Sequence, residues 1–143
     1  MRSASNPWGH PTLSVEELRK HYQAYLDCLN RQAWPELGWY VDEAVEHNGR
    51  PLGLAGYQAM LEDDHAAIPD LHFAARLLVV KAPWLAAQLD FDCTPRCELF
   101  GLAVNGRRVR FSEHVFYRFE NGRIREVRSV IDTAAIAAQL AEG

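Results

Sequence analysis

RRVRFSEHVFYRFENGRIREVRSVI, residues 107–131, reads as two strands joined by Asn121-Gly122, a dipeptide suited to a tight hairpin turn. Successive side chains of a strand point to opposite faces. From Val109 the odd positions are Val109, Phe111, Glu113, Val115, Tyr117 and Phe119, and the even ones are Arg110, Ser112, His114, Phe116 and Arg118. One face is therefore apolar apart from a single carboxyl, Glu113. In the second strand Val127, Ser129 and Ile131 again give an apolar face with one small polar residue. Upstream, Leu85, Ala87, Leu89, Phe91 and Cys93 alternate with Gln88, Asp90 and Asp92 in the same manner.

A carboxylate set on an apolar face is costly to ionise, so the pKa of Glu113 is expected to rise toward neutrality, as suits a general acid or base. The alternative is that Glu113 pairs with an arginine or histidine at an interface or strand end.

Outward from this hairpin, Leu71–Val80 and Leu85–Cys93 read as two further strands, with Ala82-Pro83 between them. The first half is helical. Ser14 and Glu17 have the spacing of a capping box, and Leu18, Tyr22, Tyr25, Leu26 and Leu29 recur at helical intervals, predicting a helix over Val15–Asn30. Ala33–Tyr40, with Pro35 suited to a first turn, reads as a short second helix. Val41–Glu46 leads into HNGRPLG (47–53), a turn region. A third helix then runs over Leu54–Ala67, carries Tyr57, Leu61, Asp64 and His65, and is stopped by Pro69. Thr133–Leu140 reads as a short closing helix. Helices first and an antiparallel meander afterwards predict an α+β fold with its helices on one face of the sheet. Residues 1–13 read as an irregular N-terminal arm, and 14–143 as a single domain.

The 143 residues are 48% hydrophobic and 24% charged with a net charge of −4, which suits one globular domain and argues against a nucleic-acid partner. Cys28, Cys93 and Cys97 are an odd set without a CxxC pair, as expected of reduced thiols. The opening MRSASNPWGHP has no apolar core of a signal peptide, and no run approaches the ~20 apolar residues of a membrane span. A soluble, cytoplasmic protein is expected. His10, His21, His47, His65, His72 and His114 show no metal-binding spacing, and no Gly-rich phosphate loop is present, so neither metal nor cofactor is expected.

HNGRPLGLAGYQAML (47–61), HAAIPDLHF (65–73) and TPRCELFGLAVNGRRVRFSEHVFYRFENGRIREVRSVID (94–132) together resemble the SnoaL-like polyketide (ester) cyclases of the nuclear-transport-factor-2-like superfamily. The resemblance spans about Val15 to Leu140. It implies a curved antiparallel sheet wrapped by three N-terminal helices into a cone around an apolar pocket, in a homodimer or higher oligomer. It also implies cofactor-free acid–base chemistry that closes a ring by an intramolecular aldol reaction. In those cyclases the catalytic aspartate lies in the last strand, and counting from the NGRI turn places Ser129 there; the nearest aspartate is Asp132. A pocket glutamine of the cyclases falls at Glu113, a pocket histidine at Val115, and a loop histidine of many relatives at Pro95.

The candidate catalytic groups are accordingly Glu113, His47, His65 and Asp132. His47 stands at the turn before the third helix, and His65 shares a helix face with Leu61. Asp132 has the chemistry of Glu113 but opposite parity to Ser129. The candidate substrate-binding residues are Tyr25, Trp39, Asn48, Tyr57, Val115, Tyr117 and Ser129. For each a plainer role stands beside the functional one: turn chemistry for Asn48, a core histidine at 65, core packing for Tyr25 and Trp39.

The leading expectation is a small-molecule enzyme acting on an apolar carbonyl compound by cyclisation, isomerisation or dehydration. Glu113 would be the base, His47 or His65 the acid or orienting group, and Tyr25 a hydrogen-bond donor. A non-catalytic ligand-binding or dimerising domain is the alternative. It would pair Glu113 with a cation such as Arg128 beside a closed or apolar pocket.

Overall fold

The computed structural model describes residues 13–142. Its elements are α1 (Val15–Arg31), a 3₁₀ helix (Trp34–Trp39), β1 (Val41–His47), α2 (Gly53–Ala67), β2 (Ala75–Lys81), β3 (Trp84–Cys93), β4 (Glu98–Leu99), β5 (Leu102–Ala103), β6 (Val109–Glu120), β7 (Arg123–Ile131) and α3 (Thr133–Ala141). The expected arm lies outside the described residues except for Leu13.

α1 begins where its signature places it. The Ser14 hydroxyl accepts from the Glu17 amide and the Glu17 carboxylate accepts from the Ser14 amide. It ends one residue beyond the expected position, on Gln32 in the left-handed conformation. The second helix is a 3₁₀ segment with Pro35 in its first turn. β2 starts four residues later than the sequence suggests. The reason is Asn30, whose side chain accepts from the Phe73 amide (2.7 Å) and donates to the Phe73 carbonyl (2.9 Å), so this backbone is satisfied outside the sheet.

β1, β7, β6, β3 and β2 form one curved sheet in that order. β2, β3, β6 and β7 run antiparallel, as their alternation predicts. β1 instead joins the edge parallel to β7, so the sheet is mixed rather than purely antiparallel. Its register jumps from Val41↔Ile124 to Glu46↔Glu126, five residues of β1 against two of β7. Asp42 accepts from the Ala44 amide inside this bulge. The bulge breaks the period-two pattern, which is why Val41–His47 carries little strand signal.

The hairpin read from the sequence is present. Asn121 (φ 52°) and Gly122 (φ 78°) both take positive φ, as a turn matched to strand twist requires. The parity holds along β6: Val109, Phe111, Val115, Tyr117 and Phe119 are buried. They pack with Leu85, Leu89 and Phe91 of β3 and with Tyr22, Tyr25, Leu26 and Leu29 of α1 in one contiguous core. Each large apolar side chain so buried stabilises the fold by about 1.5–3 kcal/mol. The opposite sheet face leaves Leu77, Val79, Phe116 and Val130 exposed. The helices and the inner sheet face enclose the site between them.

Candidate active site

A cavity of about 400 Å³ opens between α1, α2 and the inner face of the sheet. Its mouth is rimmed by the exposed residues Asn48, Phe100 and Thr133. Inside, polar groups come from every wall: Tyr25 from α1, His47 from β1, Tyr57 and Asp64 from α2, Glu113 and Tyr117 from β6, and Ser129 from β7. Apolar surface separates them. Phe73, Phe91 and Phe111 form a run of rings, with centroids 5.5 and 5.1 Å apart, and Phe100 meets Phe111 edge-on at 6.1 Å near the mouth. Among the described residues no lysine or arginine lines the cavity.

Glu113 owes its setting to strand register. Its cross-strand neighbours are Leu89 on β3 and Ile131 on β7, both apolar. The cavity reaches the carboxyl, but protein surrounds it, and this burial raises its pKa. The Ser129 hydroxyl donates a hydrogen bond to it and pulls in the opposite direction. Ser129 is itself held by Asn48, whose amide oxygen accepts from the Ser129 N–H (2.8 Å) and whose Nδ2 donates to the Ser129 carbonyl (3.2 Å). Asn48 adopts φ 50° in a turn that pairs His47 with Arg50, so the turn role and the cavity position coincide.

His47 precedes this turn. Burial and the nearby Arg50 charge lower its pKa, leaving a neutral imidazole at pH 7. Its Nδ1 is buried with no hydrogen-bond partner among the described residues, and its ring lies 6.3 Å from that of Tyr57. The phenols form two pairs: Tyr25 with Tyr57 at 2.7 Å, and Tyr22 donating to Tyr117 at 3.1 Å. Burial raises the pKa of all four, and repulsion from Glu113 adds to it. They remain protonated donors.

Four sequence candidates stand elsewhere. Asp132 caps α3 by accepting from the Ala135 amide and lines a shallow cleft on the other sheet face with Asp90 and Arg110. This is the placement its parity predicts. His65 packs between Trp34 (5.7 Å) and Phe73 (6.0 Å) and interacts with the Leu29 backbone, outside the cavity lining. Trp39 ends the 3₁₀ helix at 62% exposure. Val115 is buried on the inner face between Ala87 and Ser129 and does not line the cavity.

Asp64 is the titratable lining residue, among those described, to which the sequence pattern assigned no role. At 3.6 residues per turn, Asp64 lies within about 20° of Tyr57 around the helix, whereas His65 lies about 80° away. Tyr57, Leu61 and Asp64 thus share the cavity-facing stripe. The signal was a carboxyl on an apolar helix face, the same one that singles out Glu113 on its strand. Burial first, then the charges of Glu113 and Asp63, push the Asp64 pKa up to about 6. No three His, Cys, Asp or Glu side chains among the described residues converge as metal ligands would.

A curved sheet and helices closed around an apolar cavity with buried carboxyls, phenols and a neutral imidazole define a pocketed α+β cone built to hold a small molecule. The family model for SnoaL-like polyketide cyclases matches residues 19–140, and the chain belongs to that family. A SnoaL-like polyketide cyclase from Agrobacterium tumefaciens strain C58 is 59% identical over 86% of this chain and 97% of its own, with a TM-score of 0.85. TsrD from Streptomyces laurentii (19% identity, 90% and 97% coverage, TM-score 0.78) shares the fold. So does IdmH from Streptomyces antibioticus (18% identity, 87% and 99% coverage, TM-score 0.75). No curated protein matches the sequence significantly.

Proposed function

We propose that this member of the family is an enzyme that moves a proton next to a carbonyl in an uncharged, largely apolar substrate, without a bound cofactor, leading to cyclisation, isomerisation or dehydration. The observation that carries this is Glu113: a carboxyl on the cavity wall between Leu89 and Ile131, held by the Ser129 hydroxyl and, among the described residues, by no cation. Glu113 takes the proton from the carbon beside the carbonyl, and the C–H electron pair moves toward the carbonyl oxygen as an enolate forms. Buried phenol O–H groups, Tyr25 and Tyr57 foremost, supply donors to that oxygen, and the neutral imidazole of His47 orients it. In a ring closure the enolate carbon attacks a second carbonyl of the same molecule, and the new alkoxide takes the proton back from Glu113. The aromatic run from Phe73 to Phe100 suits a planar, apolar skeleton.

A purely ligand-binding role would pair Glu113 with Arg128. Arg128 instead stacks over Trp84 at 5.7 Å on the outer face and pairs with Glu126, which supports the enzyme reading. A homodimer belongs to the same reading, since a second copy would bury Leu77, Val79, Phe116 and Val130. A cytoplasmic setting is in keeping with three unpaired cysteines.

The test is exchange of α-protons of 2-tetralone, an apolar ketone, in D2O, followed by 1H NMR. The wild-type protein should accelerate exchange, and Glu113→Gln should return it to the buffer rate while circular dichroism stays unchanged. A folded Glu113→Gln variant with wild-type exchange would sink this assignment.

A further inference from the structure

We propose that Asp64 is the second catalytic carboxyl of this cavity, forming with Glu113 an acid–base pair that holds one proton between the helical wall and the sheet wall. The proposal rests on the acid–base reading of the cavity given above and assigns its acid.

The aspartates of this chain show why Asp64 differs. Asp27 pairs with Arg31, and Asp42 and Asp132 accept from backbone amides. Asp70 binds Thr94, Asp90 binds Arg76, Gln88 and Ser112, and Asp92 binds Arg108 and Arg110. Asp63 is exposed. Asp64 alone lines the cavity, and among the described residues its carboxyl has no hydrogen-bond or salt-bridge partner. A carboxyl partly withdrawn from water and held by nothing lowers stability, so a structural role does not account for it.

Its surroundings suit a proton carrier. The titratable groups facing the same space are Glu113 and Tyr117 from β6, Tyr57 from α2, Tyr25 from α1 and His47 from β1. No cation lies among them at neutral pH. Two carboxyls in a cavity that, among the described residues, no lysine or arginine lines oppose each other's ionisation, so the second holds its proton to a higher pH than the first. The geometry also assigns the partners. Ser129 donates to Glu113 and favours its ionised form, whereas among the described residues Asp64 receives no donor. Glu113 is therefore the base and Asp64 the acid. In enolisation the Cα–H bond breaks toward Glu113, its electron pair becomes the C=C bond, and the carbonyl oxygen takes the proton of Asp64. Neither oxidant nor reductant is required.

Two measurements on the full chain test this. In the 2-tetralone exchange, Asp64→Asn is expected to lose about 100-fold in rate, the scale of general-acid catalysis. In a carboxyl 13C NMR titration, the Asp64 midpoint, about 6 in the wild-type protein, should fall in Glu113→Gln. Asp64→Ser gives the same kinetic readout if the asparagine variant does not fold. Wild-type exchange in Asp64→Asn alongside an inactive Glu113→Gln would overturn the role of Asp64 alone. An Asp64 midpoint unmoved in Glu113→Gln would overturn the pairing. A wild-type protein no faster than buffer would overturn the acid–base reading itself.

Discussion

The hydroxyl of Ser129 on β7 donates a hydrogen bond to the carboxyl of Glu113 on β6, one step diagonally across the strand pair. In this family's polyketide cyclases the resemblance places an aspartate at position 129. Here the carboxyl stands on the neighbouring strand and the serine holds it. On the proposed reading the acid–base group has kept its cavity and changed its address, and the hydroxyl keeps that carboxyl more acidic than burial alone would.

Removing this donor has a defined sign. In Ser129→Ala, burial acts on Glu113 without the opposing hydrogen bond, so its pKa rises further. The alkaline-going limb of the exchange rate, which reports ionised Glu113, should move to higher pH. A pH–rate profile beside the wild-type one measures the shift. A move to lower pH would contradict the assignment.

Asp64 predicts an unusual pH dependence of stability. Its folded pKa, about 6, lies above its ordinary value of 3.8. The folded state then binds the proton more tightly than the unfolded one, and stability falls as pH rises between those values. The penalty is fully developed above the folded pKa and amounts to roughly 2–3 kcal/mol at pH 7. Asp64→Asn should therefore be more stable than wild type at pH 7 and show a flatter dependence from pH 4 to 6. Urea denaturation across that range measures both, and a destabilised variant at pH 7 would point to a contact that holds the fold.

Asn48 carries two roles that substitution can separate. Asn48→Gly keeps the left-handed turn but loses both hydrogen bonds to Ser129, at about 0.5–1.5 kcal/mol each. Asn48→Ala adds the strain of φ 50° to the same loss, about 1 kcal/mol more. Chemical denaturation should rank wild type above Gly and Gly above Ala. If Ala equals Gly, the backbone geometry is not what selects asparagine here.

Strand alternation needs only the period of the chain. Alternate positions of 107–131 and 85–93 place the buried face of β3, β6 and β7, the Asn121-Gly122 turn and Glu113 as the one carboxyl on that face. The capping box at Ser14 and Glu17 was equally local, because both partners lie within one helical turn. Asp64 was legible by the same logic applied to a helix, where 100° per residue separates it from His65.

Other features depended on partners far apart in sequence. β1 lost its alternation to a bulge, and its parallel pairing with β7 joins segments some eighty residues apart. The late start of β2 follows from Asn30, forty-three residues upstream of Phe73. His65, Trp39 and Val115 have the composition of pocket residues, but their neighbours, not their types, decide what they face. The sequence by itself determined the faces, the turns and the isolated carboxyl, because periodicity and local hydrogen bonding act over a few residues. Only the tertiary structure decided that Ser129 holds Glu113, that Asn48 holds Ser129 and that Asp64 looks into the same cavity. Those relationships arise where strands and helices meet, and no local pattern encodes the meeting.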